Sequence, residues 1–172
     1  MNKKITYRAG DILTACDNEL AIPDGILGHS AIVINKSQMI EAVISRPHMQ
    51  TASISKFVKN HPKHAIYRPK ESSLGKAAAA YARSYLDQRN NYLRYGLERP
   101  SFSFSTDTVL HDPWSTIYCS KLVWLCYHHG AGYTFPNDHF LFTPEDLDTH
   151  LKKDSKFIML YRHRKFNFLI DT

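Results

Sequence analysis

The sequence predicts an α+β domain: an antiparallel sheet of about five strands, one buried helix and two or three covering helices. Three observations lead there. Short alternating or β-branched runs recur between turn residues, and further segments carry a helical period. One of these, "TIYCSKLVWLCYHH", keeps almost no polar face, so it belongs in the middle of the fold.

Strands are expected at Asp11–Ala15, Ser30–Ile34, Met39–Ile44, Ala65–Arg68 and Phe157–His163. "SISKFVKNH" reads as a short helix, and "SSLGKAAAAYARSYLDQR" as a long one with Ser72 or Ser73 as its cap. The apolar segment around Cys119 is the third, with Gly130 or Gly132 available for a left-handed turn at its end. "TPEDLDTHL" opens a fourth, with Thr143 as cap and Pro144 at the first helical position. The span from Asn90 to Ser115 has no clear period and is rich in Tyr, Phe, Ser and Asp; a loop of that length lines a site or moves.

At 172 residues and 43% hydrophobic, the whole chain, 1–172, is read as a single domain. "MNKKITYRAGDIL" contains no apolar run of about 7–15 residues, and no run of about 18 occurs anywhere, so neither export nor a membrane span is expected. Cytoplasm is the default location. Cys16, Cys119 and Cys126 form no CxxC pair and read as free thiols. The net charge of +6 is scattered in small runs such as "LKKDSK" and "RHRK". Without a basic stripe or a Gly-rich phosphate loop, this is a solvated basic surface, and no nucleic-acid partner is expected. The sequence specifies no oligomeric state.

Cys119 falls in the first turn of the buried helix, where unpaired N–H groups and the helix dipole favour a thiolate. The dipole contributes only about 0.3–1 kcal/mol, so a nucleophile there needs a histidine from another element. The alternative is a small buried hydrophobe. Cys126 is seven residues on, about 10 Å along the axis at 1.5 Å per residue, and reads as core; Cys16 reads as structural.

Among ten histidines, His128 and His129 end the buried helix, and His61, His64, His111, His139 and His150 fall in polar loops or helix ends. His48, His61 and His64 have no ligand spacing with a cysteine pair, so no metal is expected, nor any cofactor. His29 differs: in "GHSAIVI" it stands at the mouth of an apolar strand. Glu41, in the returning strand, is either an ordinary strand carboxylate or the group that orients His29. A two-residue turn would set Ile32 opposite Glu41 and send the carboxylate to the wrong face, so a bulge or a longer turn is expected between Ile34 and Glu41.

These residues carry a resemblance. "GDIL", "GHSAIVI", "MIEA", "YCSKLVWLCYHHGAG" and "TPEDL" resemble the circularly permuted branch of the NlpC-type papain-like cysteine peptidases, the YiiX/YaeF-like group, related to the lecithin:retinol acyltransferase-like proteins. It spans Gly10 to about Leu147, by layout only between Met49 and Tyr118. His29 precedes Cys119, as in the permuted branch.

The resemblance implies a papain-like fold in which Cys119 is the nucleophile, His29 the general base and Glu41 the orienting third member, without a cofactor. The Cys119 N–H would serve the oxyanion, with Tyr118 a second candidate. The implied substrate is a small peptide or peptidoglycan fragment cleaved at an amide, with Tyr92, Tyr95 and Trp114 of the aromatic loop shaping the cleft. Two other outcomes are compatible: acyl transfer from a lipid ester or thioester, and a binding module without chemistry. His163 is the alternative base.

Overall fold

The computed structural model describes residues 5–16, 27–137 and 141–169. Among them the chain forms β1 (Ile12–Ala15), β2 (His29–Val33), β3 (Gln38–Ala42), β4 (Met49–Ser53), α1 (Ile54–Asn60), β5 (His64–Pro69), α2 (Ser72–Arg94), β6 (Ser101–Phe102), β7 (Thr116–Ile117), α3 (Cys119–Leu125), α4 (Pro144–Lys153) and β8 (Phe157–Arg162). Six strands make one antiparallel sheet in the order β4-β3-β2-β1-β5-β8. β6 and β7 form a separate parallel pair.

The sheet is covered on both faces. Residues alternate along each strand, so Leu13, Ala15, Ala31, Val33, Met39 and Ile66 face one side, where Ile54 and Phe57 of α1 cover them. Ile12, Ile32, Ile40 and Tyr67 face the other, against Leu122 and Val123 of α3, Ala78 and Ala82 of α2, and Leu147 and Leu151 of α4. Ile32 and Leu122 are wholly buried, each worth about 1.5–3 kcal/mol of burial.

The sixth strand is the one the pattern does not signal. β4 reads "MQTAS" and buries only Met49, so neither apolar run nor clean alternation marks it; it exists because β3 offers an edge, with Glu41 opposite Gln50. The third helix starts three residues later than expected, since Thr116 and Ile117 pair with Ser101 and Phe102. It continues into a π-helical turn, Cys126–Gly130, and Gly132 takes the left-handed position, φ +63°.

α2 reaches Arg94, beyond the expected end, and its N-cap is Glu71, with no side-chain capping bond, rather than Ser72 or Ser73. α4 begins as expected, with Thr143 and Asp146 in a reciprocal capping box. Gly10 lets β1 lie against α2: at φ +89°, a Cβ there would sit 2.1 Å from Gly75 Cα. The reading of His139 lies outside the described residues.

Candidate active site

The β2–β3 connection decides whether His29 and Glu41 can meet. Ile34 N–H bonds Gln38 C=O at 2.9 Å, leaving Asn35–Ser37 as a three-residue loop. Asn35 closes it: its side-chain oxygen accepts from the Ser37 and Gln38 amides, both at 2.9 Å. The register becomes Ile32 opposite Ile40 and Val33 opposite Met39. His29 and Glu41 therefore share a face, as the longer-turn expectation required. His29 Nε2 and Glu41 Oε2 are 2.8 Å apart.

Cys119 arrives from the other element. Tyr118 is extended, φ −150°, and provides no side-chain cap, so α3 opens directly on the cysteine. Glu41 engages the His29 ring at Nε2, and the Cys119 side chain lies close enough to the same ring to raise its pKa. Cys119 is 3% exposed, Glu41 7% and His29 8%, so each is buried but keeps some surface in solvent.

Electrostatics follow from this contact. Burial pulls the His29 imidazolium down, but the bonds to Cys119 and Glu41 and the charge of both outweigh it and push the ring up to about 10. Burial pushes Glu41 up, and its bond to His29, the His29 charge and a Gln50 donor offset that, holding the carboxyl below its ordinary value.

Several neighbours escape a sequence reading. Gln50 Nε2 donates to Glu41 Oε1 at 2.9 Å, extending the line to β4. Phe57 stacks on His29 at 5.6 Å. His61, the last residue of the expected short helix, caps the end of α1 with its ring 5.1 Å from His29. His64, expected in a polar loop or helix end, instead opens β5 and is buried, its Nδ1 2.7 Å from His61 C=O. Only the α1–β5 geometry brings them near; no spacing announces it.

The remaining expected residues lie as follows. The Tyr118 hydroxyl accepts from the Phe142 amide, and its ring packs on Phe104 at 5.4 Å. Tyr92 and Trp114 pack on one another at 4.9 Å, Trp114 also meeting Tyr85 at 5.1 Å; Tyr95 is 83% exposed. The aromatic loop meets the cysteine's neighbour through Phe104, and Phe102 rests on His48 of the β3–β4 turn at 5.9 Å. His163 follows β8, its amide bonded to His64 C=O. Cys126 and Cys16 are buried, and neither forms a disulfide among the described residues.

An interior helix opening on a cysteine, set against an antiparallel sheet whose early strand presents a histidine, is the layout of a papain-like fold with its chain order permuted. Residues 6–156 match the family described as "permuted papain-like amidase enzyme, YaeF/YiiX, C92 family", and the chain belongs to that family. The protein is thus a permuted papain-like amidase at the level of its family. No curated protein matches it. The fold is similar to the crystal structure of metalloprotein yiiX from Escherichia coli O157:H7, with a TM-score of 0.54, 16% identity, and 92% of this chain and 99% of that one covered. Among the described residues no group of three or more His, Cys, Asp or Glu side chains could hold a metal ion. No helix in the described residues is long and apolar enough to cross a membrane.

Proposed function

We propose that this chain is a cysteine amidase that cleaves an amide in small peptides, murein-derived fragments among them, through Cys119, His29 and Glu41. The observation that carries the reading is the His29 ring bonded to the Glu41 carboxylate and close enough to Cys119 for the sulfur to raise its pKa. The Cys119 thiolate attacks the carbonyl carbon while the His29 imidazolium holds the proton. The oxyanion forms beside the Cys119 N–H at the start of α3, the proposed donor, with Tyr118 kept as the second candidate. His29 then protonates the leaving amine, and the acyl group stays on sulfur. Water, deprotonated by His29, attacks the thioester, releases the carboxylic acid and restores the pair. Glu41 holds the imidazole in orientation throughout. Tyr92, Tyr95 and Trp114 remain the proposed substrate contacts.

One observation favours a second reading. Phe104 against Tyr118, with Phe102 behind it, gives the site an apolar flank suited to an acyl chain. One experiment treats both: incubate the protein with small N-acyl peptides, murein peptides and acyl thioesters, and trap the acyl-enzyme by mass spectrometry. A peptide acyl adduct on Cys119 that vanishes in Cys119→Ala and His29→Ala supports the amidase. An adduct from thioesters alone supports acyl transfer. No adduct and no product from either class would leave only a binding scaffold.

A further inference from the structure

The opposite end of the sheet holds a cavity of about 640 Å³. Ala15, His29 and His64 stand side by side at one end of β1, β2 and β5, while Asp11, Ile34 and Pro69 meet this cavity at the other. From His29 to Ile34 is five residues, about 17 Å at ~3.3 Å per residue. This is a separate place on the molecule.

Its walls carry Arg8, Lys36, Arg68, Lys70 and Lys76 and a single carboxylate, Asp11. Asp11 is wholly buried and already neutralised: Arg68 donates to it through Nε at 2.7 Å and Nη2 at 2.6 Å, and the Arg8 amide at 2.9 Å. Four cations therefore remain around one cavity. Among the described residues Arg8, Lys36, Lys70 and Lys76 have no carboxylate partner. α2 begins at the same wall, where Ser72 lines the cavity and the first turn holds no acidic residue; the exposed N-cap Glu71 is not part of the lining. All four are exposed residues, so water and salt screen much of their mutual repulsion, and an anion among them would relieve what remains.

We propose that this cavity binds a phosphate monoester carried on a small organic body. A phosphomonoester brings a charge near −2 and three acceptor oxygens, which suits four unpaired cations better than a lone carboxylate does. The volume falls within the roughly 300–1,000 Å³ of organic ligand sites, too large for the ion by itself. Ile34, Pro69 and Ile158 supply apolar wall for the body.

The monoester could belong to a soluble metabolite or to a lipid headgroup, and the test separates them. The full chain is titrated in about 0.15 M salt with adenosine monophosphate, and separately with vesicles of phosphatidic acid in phosphatidylcholine or of phosphatidylcholine alone. Saturable binding is expected, weakened about tenfold or more in Lys36→Glu/Lys76→Glu. It should be unchanged in the charge-matched Lys153→Glu/Lys165→Glu and in Cys119→Ala, so it stands or falls apart from the amidase reading. Binding of the nucleotide alone makes the source soluble, and binding of phosphatidic acid vesicles alone makes it the headgroup. Failure of both, or equal loss in both double variants, overturns the proposal. Should the first double variant misfold, the wild-type amide shifts on titration decide: changes centred on residues 34–36 and 69–76 support the site, and changes elsewhere sink it.

Discussion

Cys119 and Cys126 lie seven residues apart on one continuous helical stretch, and the molecule treats them oppositely. Cys119 opens the helix, lies close enough to the His29 ring to raise its pKa and keeps 3% of its surface in solvent. Cys126 begins the π-helical turn, is wholly buried, and desolvation pushes its thiol well up. One side chain on one helix thus yields a candidate nucleophile and an inert filler. The helix alone does not confer reactivity; a histidine delivered by the sheet does.

The largest effect breaks the comparison directly. Cys119→Ala should reduce amide turnover to background, a loss on the scale of about 10⁶-fold seen when a hydrolase loses its nucleophile, and should abolish labelling by iodoacetamide under native conditions. Cys126→Ala should leave turnover and labelling within about threefold and cost only stability, on the order of 1 kcal/mol for the small cavity. His29→Ala should lower turnover by about 10²–10⁴-fold. Native labelling at Cys126 that matched Cys119 would erase the contrast.

The pH dependence sharpens it. With His29 held up to about 10, turnover should keep its basic limb near pH 10 rather than near 6.5. Glu41→Gln removes one of the groups that raise the ring, so this limb should move down. Stability follows the same groups. His29 is raised, so its contribution is full below about pH 6.5 and is lost as pH rises toward about 10. Glu41 is lowered, so its contribution is present above its ordinary value of 4.5 and is lost on acidification below it. Chemical denaturation of wild type, His29→Ala and Glu41→Gln across pH checks both signs; a basic limb unmoved in Glu41→Gln would detach the carboxylate from the histidine.

The two ends of the candidate site differ in how much a sequence can say. Gly28 and His29 before "SAIVI", and Cys119 at the start of an all-apolar helix, are local patterns, legible because period and punctuation are written in neighbouring residues. The shared face of His29 and Glu41 was reachable too, since parity on a pleated sheet demands a loop of odd length. β4 was not legible. An edge strand with one buried residue has no hydrophobic signature, and it forms because β3 presents unpaired backbone. Gln50 was hidden with it; the short helix carrying Phe57 and ending at His61 was legible as a helix, but not its packing against the imidazole, which no spacing in the sequence announces.

Gln50 therefore offers the smallest and most discriminating test. It is partnered with Glu41 across the β3–β4 ladder and donates to the carboxylate oxygen that His29 does not use. A hydrogen bond to a charged group contributes roughly 1.5–3 kcal/mol, and part of that is regained when water reaches the vacated edge. Gln50→Ala should accordingly lower kcat by about tenfold with KM little changed, and it should shift the basic limb of the pH profile in the same direction as Glu41→Gln but by less. Gln50→Glu would set a second carboxylate against Glu41; repulsion should raise the Glu41 pKa and depress turnover on the acid side first. No Cys126 substitution should reproduce either pattern. If Gln50→Ala lowers stability while kcat and the pH limb stay at wild-type values, the glutamine only stitches the strand edge, and the line from sulfur to sheet ends at Glu41.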